Sequence, residues 1–284
     1  MGRYFLEAMP MPGVYLCMVL LILAAAEAGI LVGRYHRHTR QDEGAQASVG
    51  PVVGGLLGML AFLLAFTFST ASAQHSARKQ DVLAEAIHIG ATSLRADLVG
   101  GAHGAQIKRL LRDYVDVRLL AARPGGDLKA GLTRSLQIHG QLWTQATAAA
   151  REDPALRTNR MVDAVIKLIG IHERRLADGV RARIPGRIWI GLLAITALTM
   201  GSLGLQIGLS GKHRLVGIVP IALTFSVLVT LIVDLNRPQG GFITVSQQPL
   251  IELQQRMHSA DAAAASSAEA VDSSAGADAA ADPG

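Results

Sequence analysis

The sequence has little charge and few aromatic side chains. Of its 284 residues, 17% are charged and 4% are aromatic, whereas half are apolar. Soluble domains carry about 25% charged residues, so this composition is typical of a chain that lies partly in a lipid bilayer. The single cysteine, Cys17, excludes an intrachain disulfide. The last 26 residues hold five acidic side chains and no lysine or arginine.

Motifs that would indicate an enzyme or a nucleic-acid-binding protein are also missing. Residues 204–213 resemble a phosphate-binding loop, but Gln206 occupies the first glycine position and His213 the Ser/Thr position. His36 and His38 have acidic neighbours, yet three or four convergent metal ligands are not evident. The basic residues do not accompany an aromatic stripe that would bind nucleic acid. We therefore expect no catalytic residues, no metal site, no cofactor and no nucleic-acid partner.

Four apolar runs are long enough to cross a bilayer, which takes about 20 residues. Because lipid offers the backbone no hydrogen-bond partners, each run must be a helix. The sequence therefore predicts an all-α polytopic membrane protein with spans at 14–33, 49–72, 188–209 and 215–233. The first run could instead be a signal peptide cleaved near Ala26-Glu27-Ala28. However, the apolar run continues to Gly33 and is not preceded by a positively charged segment, which favours a membrane span.

The spans divide the chain into four parts. They are 1–72 with the first two spans, a helical domain at 73–187, 188–258 with the last two spans and a post-span segment, and a disordered Ala/Ser/Asp tail at 259–284. Lysines and arginines near the membrane number nine on the side of the 73–187 domain and five on the other side. We therefore expect a multi-pass plasma (inner) membrane protein whose helical domain and both termini are cytoplasmic.

The 73–187 domain is strongly basic, with 19 basic and 11 acidic side chains and hence a net charge of +8. This charge could attract small anions or anionic lipid head groups, or belong to an ordinary arginine-rich cytoplasmic loop. Glycine and proline breakers divide the domain into about four helices. Three apolar stripes recur at helical spacing, which are Leu83, Ile87, Leu94 and Leu98, then Ile107, Leu110, Leu111 and Tyr114, and later Val162, Val165, Ile166 and Ile169. We expect these stripes to pack against each other.

Small residues and phenylalanines mark the second span. Glycines recur every fourth residue at Gly50, Gly54 and Gly58, and again in the third span at Gly204 and Gly208. This spacing lets helix backbones approach closely, either within the chain or between subunits. The second span also carries three phenylalanines, Phe62, Phe66 and Phe68. They either pack against lipid and protein or form the hydrophobic constriction of a pore.

Glu27 is the one formal charge deep within a span. A carboxylate at the centre of a membrane helix costs about 2.5–3.5 kcal/mol on insertion scales, so we expect Glu27 to face a cavity or a partner. The alternative is an acid near the membrane edge, seven residues before Arg34.

Two stretches resemble the bestrophin-like domain family of bacterial membrane proteins. The first is Ala65-Phe-Thr-Phe-Ser69, continuing to Ser93-Leu-Arg-Ala-Asp97, and the second runs from Leu231 to Leu250. The resemblance covers about residues 14–255, and its motif residues include Arg95, Asp234, Arg237 and Pro238. Bestrophins proper are pentameric anion channels in which the second span lines the pore. The resemblance therefore implies a homo-oligomer, with Phe62, Phe66 and Phe68 as neck candidates and small anions as partners beside the lipid bilayer.

Two functions follow from these patterns. One is an oligomeric ion channel, with anions as the expected permeant. The other is a membrane sensor or scaffold that does not conduct ions and binds a partner through its helical domain.

Overall fold

The computed structural model describes residues 9–39, 44–123, 125–181, 184–210, 215–237 and 241–260. Within these residues every regular element is a helix, which confirms the all-α prediction. The helices are α1 (Met11–Thr39), α2 (Gly44–Val99), α3 (Gly101–Ala122), α4 (Leu128–Glu152), α5 (Leu156–Leu176) with a π-helical turn (Ala177–Arg181), α6 (Gly186–Ser210), α7 (Leu215–Asn236) and α8 (248–260). The four helices predicted to contain spans, α1, α2, α6 and α7, are each long and apolar enough to cross a membrane.

The chain forms two compact units. The membrane unit contains residues up to Ala77 together with Gly179–Thr244, and the bundle unit contains Arg78–Asp178 and the chain from Val245 onward. Two helices cross the boundaries that the sequence suggested at residues 72 and 258. Helix α2 runs without a break from the second span into the bundle unit, and α8, after the last span, packs in the bundle core through Leu250 and Leu253.

The membrane unit is held together chiefly by α1 and α6, which pack backbone to backbone. A Cβ atom at Gly29 would overlap the carbonyl oxygen of Gly201, and one at Gly204 would overlap that of Ala26. Two further glycines continue this contact, since a Cβ at Gly33 or Gly208 would lie 2.5 Å from a carbonyl oxygen of the other helix. In lipid, where apolar burial provides little driving force, such close approach supplies the dispersion energy that holds helices together.

Within the bundle unit, the chain reverses its direction in a tight turn between α2 and α3. Gly100 and Gly101 have φ angles of 68° and 58°, which residues with a Cβ rarely adopt. Just after the turn, a Cβ at Gly104 would overlap the Ala96 carbonyl oxygen, so the two helices touch there. The next connection ends at Asp127, whose side chain caps α4 by accepting a hydrogen bond of 2.9 Å from the Ala130 amide.

The prediction for the stripe on the bundle part of α2 was wrong. Leu83, Ile87, Leu94 and Leu98 are 49–71% exposed. The buried face of α2 holds Val82, Ala86, Ile89 and Ala96 and also two acids, Asp81 and Glu85. The acids reach this face because basic side chains of α5 meet them there. Apolarity alone therefore pointed to the wrong face of the helix.

The second predicted stripe is correct, and the third is correct in part, because Val165 is buried in the bundle core whereas Ile166 is 51% exposed. Ile107, Leu110, Leu111 and Tyr114 of α3 are all buried in the bundle core. Most of the predicted tail, from 261 to 284, lies outside the described residues.

Candidate functional site

The second span turns its glycine–phenylalanine face away from the rest of its own chain. Phe62 is 69% exposed and Phe66 is 64% exposed. A Cβ atom at Gly54 or Gly58 would meet nothing within 4 Å. The opposite face is buried through residues such as Leu60 and Leu64. Phe62, Phe66 and Gly58, each four residues from the next, therefore share one outward face, which we call the second-span face.

The other residues that were predicted to pack helices or to form the neck lie in different surroundings. Phe68 is 37% exposed and lies on a different side of α2 from Phe66, since two residues of helix turn it by about 200°. Gly50 lies near α6, where a Cβ would be 3.3 Å from Gln206 Nε2. Gly204 and Gly208 pack against α1, whose Gly29 and Gly33 face α6 and were not predicted from the sequence. The two glycine series thus do not meet each other.

Glu27 lies on the exposed side of α1. Leu20 and Leu31 on the same helix are 58% and 61% exposed. The four spans contain no lysine, arginine or histidine. Another copy of these spans therefore offers no cationic side chain to Glu27 within the bilayer.

The family motif after the fourth span forms a hydrogen-bonded turn. The buried Asp234 carboxylate accepts from the backbone amides of Phe242 and Ile243, at 2.8 and 2.9 Å. Gly241 is required there, because its Cβ would overlap Asp234 Oδ1. Each carboxylate oxygen thus receives one amide that the irregular segment would otherwise leave unpaired.

The same motif ties α7 to two distant parts of the membrane unit. The Asn236 side-chain oxygen accepts from the Ile184 amide at 3.0 Å, and Arg237 Nη2 donates to the Met9 carbonyl at 2.6 Å. The motif thus connects the end of the last span with the chain before α6 and before α1. Pro238 lies outside the described residues.

Arg95, the remaining motif residue, belongs to the bundle unit. It lines a surface groove of about 310 Å³ together with Arg160, Asp163, Ala164 and Lys167.

The bundle unit also contains a buried polar cluster that was not predicted from the sequence. Its members, which we call the polar centre, are Glu85, Tyr114, Arg118, His139, His172 and Arg175. The Tyr114 hydroxyl donates to Glu85 Oε1 at 2.6 Å and lies 3.0 Å from His172 Nδ1. Because the hydroxyl proton points to the carboxylate, we assign the Nδ1–H tautomer to His172, which then donates to the hydroxyl oxygen.

Two arginines form ion pairs with the buried carboxylate. Arg175 Nη1 donates to Glu85 Oε2, and Arg118 Nε lies 3.3 Å from Glu85 Oε1. Arg175 Nη2 also donates to Gln247 Oε1 at 2.8 Å, which joins the segment before α8 to the polar centre. Because Glu85 is completely buried, these guanidinium groups, and not water, stabilise the negative charge of its carboxylate.

The two histidines of the polar centre are held neutral. Burial, and then the charge of Arg118, lower the pKa of His139 to about 4 and that of His172 to about 3. Their ring centroids lie 4.7 Å apart in an edge-to-face contact, and the His139 ring is 4.9 Å from that of Tyr114.

The other three shifts also follow from burial, which lowers the pKa of Arg118 as well. Burial raises the pKa of Tyr114 to about 12, against the charge of Arg118, and lowers the pKa of Arg175 to about 10, against the charge of Asp81. Near neutral pH the polar centre therefore consists of one carboxylate, two guanidinium groups and three neutral rings.

A sequence signal for this cluster exists, although it is weak. Tyr114 ends the apolar stripe of α3, and Arg118 follows four residues later on the same face. A charged residue that continues a buried stripe requires a buried partner. The signal does not reveal which helix supplies that partner.

Comparison with known families identifies the chain. Residues 19–250 match the model of a family described as the bestrophin-like domain. The chain belongs to the bestrophin-like family. The resemblance seen in its motifs is thereby confirmed, although no curated protein and no solved structure matches it.

The bestrophin-like match includes both units. It contains the second-span face, the polar centre and the motif residues Asp234 and Arg237. Met9, which accepts a hydrogen bond from Arg237, lies before the first matched residue. In this bestrophin-like chain the post-span motif therefore has a structural role, because its hydrogen bonds hold the ends of the spans together.

Proposed function

We propose that this bestrophin-like protein is a subunit of an oligomeric ion channel whose pore is lined by the second span. The observation that carries the proposal is the second-span face, where Phe62 and Phe66 point away from their own chain. A phenylalanine ring repeated around a central axis forms a hydrophobic constriction, which gates by dewetting. The uncovered glycines on the same helix provide room for the close approach of a neighbouring helix.

Ion flux through liposomes that contain the purified protein tests this function. Phe62→Ala and Phe66→Ala should change the flux, because each widens the constriction. Leu198→Ala is the matched control, since Leu198 of α6 is 66% exposed but lies on a different span. Absence of flux across a range of voltage, pH and salt would contradict the channel.

We propose anions as the permeant ions. The charge of +8 on residues 73–187 favours anions over cations near the mouth of the pore. Replacing chloride by gluconate on one side of the liposomes should then shift the reversal potential, whereas replacing sodium by a bulky cation should leave it unchanged.

The proposed location is the plasma (inner) membrane with the bundle unit and both termini in the cytoplasm. This orientation rests on the excess of positive residues on that side of the spans. Labelling of single cysteines with a membrane-impermeant maleimide tests it in a background without Cys17. A cysteine at Lys129 should react only after the cells are opened.

A signal-relaying module is the second candidate function, and the continuity of α2 favours it. One unbroken helix from Gly44 to Val99 contains the second span and also Glu85 of the polar centre. A shift of this helix along its axis would change the surroundings of both. A protein that conducts no ions but binds a defined partner would support this function over the channel.

A further inference from the structure

Positive charge collects in one surface groove of the bundle unit, which we call the basic groove. It is lined by Arg95 of α2 and by Arg160, Asp163, Ala164 and Lys167 of α5. Positions 160, 163, 164 and 167 have the spacing that places side chains on one face of a helix. Arg95 comes to this face from a second helix of the same unit. Two elements of one compact unit therefore build the groove.

The ionisable side chains of the basic groove are not neutralised by the chain. Within the part of the chain that the structure describes, none of these four side chains forms an ion pair or a hydrogen bond. By contrast, Lys108 and Arg157 of the same unit pair with the carboxylates of Asp97 and Asp153. The groove thus holds three positive charges and one negative charge, a net charge of +2. Such a concentration of one sign attracts anions.

The size of the basic groove indicates a polyatomic ligand. Its volume of about 310 Å³ lies at the lower end of the range of about 300–1,000 Å³ for small-molecule sites. Ala164 is 3% exposed, and its short side chain leaves space between the longer ones. Arg95 is half-buried, whereas Arg160 and Lys167 are exposed, so a ligand can enter from solvent. A single halide ion would fill little of this space.

The chemistry of the lining favours a phosphate monoester. A guanidinium group presents a planar fork of donors that fits two phosphate oxygens, and a lysine adds a point charge. A phosphate monoester carries a charge of about −1.5 to −2 near neutral pH, which matches the groove better than the single charge of a carboxylate. Asp163 repels any further phosphate and can accept a hydrogen bond from a hydroxyl group of the ligand. The groove therefore suits one phosphate rather than a polyphosphate.

We propose that the basic groove is a binding site for a phosphate monoester. Arg95 and Arg160 bind the phosphate oxygens, Lys167 adds positive charge, and Asp163 selects against further phosphates. The monoester is either a soluble metabolite or the head group of a lipid such as phosphatidic acid, since both present the same chemistry. The proposal goes beyond ion conduction and does not depend on it, because the groove contains no residue of the second-span face.

The test is isothermal titration calorimetry of the full-length protein in phosphatidylcholine nanodiscs at about pH 8, where a phosphate monoester is a dianion. The probes are inorganic phosphate and glycerol 3-phosphate, with chloride as the competing anion. Arg95→Gln and Lys167→Gln should each lower the affinity about tenfold or more, because each loses a hydrogen bond to a charged group. Lys167 is exposed, so its variant keeps the test valid if Arg95→Gln fails to fold.

Arg157→Gln is the matched control. It removes an exposed arginine of the same helix, three residues before Arg160 and outside the groove, and should bind both probes like the wild type. Arg95→Lys keeps the charge but loses the planar fork, so it should bind more weakly than the wild type.

Asp163→Asn should have the opposite effect to the cation variants. Because it removes a negative charge, it should raise the affinity for glycerol 3-phosphate and should raise that for pyrophosphate still more. Equal gains for chloride and the two phosphates would show general attraction of anions and would overturn the site.

The source of the phosphate is determined by a second lipid composition. Loss of glycerol 3-phosphate binding in nanodiscs with phosphatidic acid, but not in those with phosphatidylglycerol, would support the site and assign it to the lipid head group. Unchanged binding in both would support a soluble ligand.

Three results would overturn the proposal. They are no binding of either probe together with no effect of phosphatidic acid, equal losses in Arg157→Gln and Lys167→Gln, and displacement of the probes by chloride at equal concentration. Phosphate binding to a protein that passes no ions would leave the site intact while the channel fails.

Discussion

At the scale of single residues, glycine has two different roles in the spans. Gly204 and Gly208 are fixed by carbonyl oxygens of α1, so their missing Cβ atoms make room for a neighbouring backbone. Gly54 and Gly58 have the same spacing but no neighbour within their own chain. The spacing predicts that a helix can approach closely, and only the three-dimensional arrangement shows where it has done so.

This difference predicts opposite results for two identical substitutions. Gly204→Ala should lower stability by about 1–3 kcal/mol or prevent folding, because its methyl group overlaps the Ala26 carbonyl and the backbones must separate. Gly54→Ala should leave the unfolding temperature close to that of the wild type, since its methyl group meets no atom within 4 Å. Thermal unfolding in detergent, where subunits can be separated, measures both. Equal effects of the two variants would contradict the assignment of α6 as the partner of α1.

At the scale of helices, the sequence was sufficient to predict the structure wherever a single property of the chain determined it. Apolar length predicted four spans, and the breakers at Gly100, Pro124 and Pro154 predicted the helix ends. It was not sufficient for α2, where two faces compete. Leu83 and Ile87 make one face look buried, whereas Glu85 lies on the face that is buried. That choice depends on Arg175, 90 residues away, and such a pairing leaves no local pattern.

The polar centre stabilises the contacts among α2, α3 and α5, which predicts a ranking of substitutions. Glu85→Gln leaves Arg118 and Arg175 without their carboxylate and should cost about 3–5 kcal/mol. Tyr114→Phe keeps both ion pairs and loses only the hydroxyl contacts, at a cost of about 1–3 kcal/mol.

Arg157→Ala provides the control for this ranking. It removes an ion pair with Asp153 in which both side chains are about half exposed, so the unfolding temperature should hardly change. Thermal unfolding of all three variants in nanodiscs measures the order. A Tyr114→Phe variant less stable than Glu85→Gln would contradict the view that charge balance dominates the polar centre.

At the scale of the whole molecule, the two units depend on different physical conditions. The membrane unit is held by backbone contacts in lipid, and its four spans contain no histidine. The bundle unit encloses a carboxylate paired with two guanidinium groups, together with two buried neutral histidines. A decrease in pH should therefore destabilise the bundle unit before the membrane unit, because the folded bundle requires its histidines to remain unprotonated.

The sign of this pH dependence follows from the shifts at His139 and His172. Their pKa values of about 4 and 3 in the folded protein lie below the value of about 6.5 for an unfolded chain. Below pH 6.5 the unfolded chain binds protons that the folded chain does not, so stability is full above this pH and falls as pH decreases. Each histidine contributes up to about 1.4 kcal/mol per pH unit until its own folded pKa is reached.

Calorimetry of the full chain in nanodiscs between pH 7 and pH 4.5 should therefore show the unfolding temperature of the bundle unit falling steeply. The loss should be shallower in His139→Gln, which removes one titrating group, and unchanged in His88→Gln, since His88 of α2 lies outside the polar centre. Carboxylates contribute equally to all three proteins, so the difference between slopes isolates the histidine. Parallel curves for the wild type and His139→Gln would show that the His139 imidazole is not held neutral by burial in the bundle, and acid sensitivity would then have to come from His172 or the carboxylates.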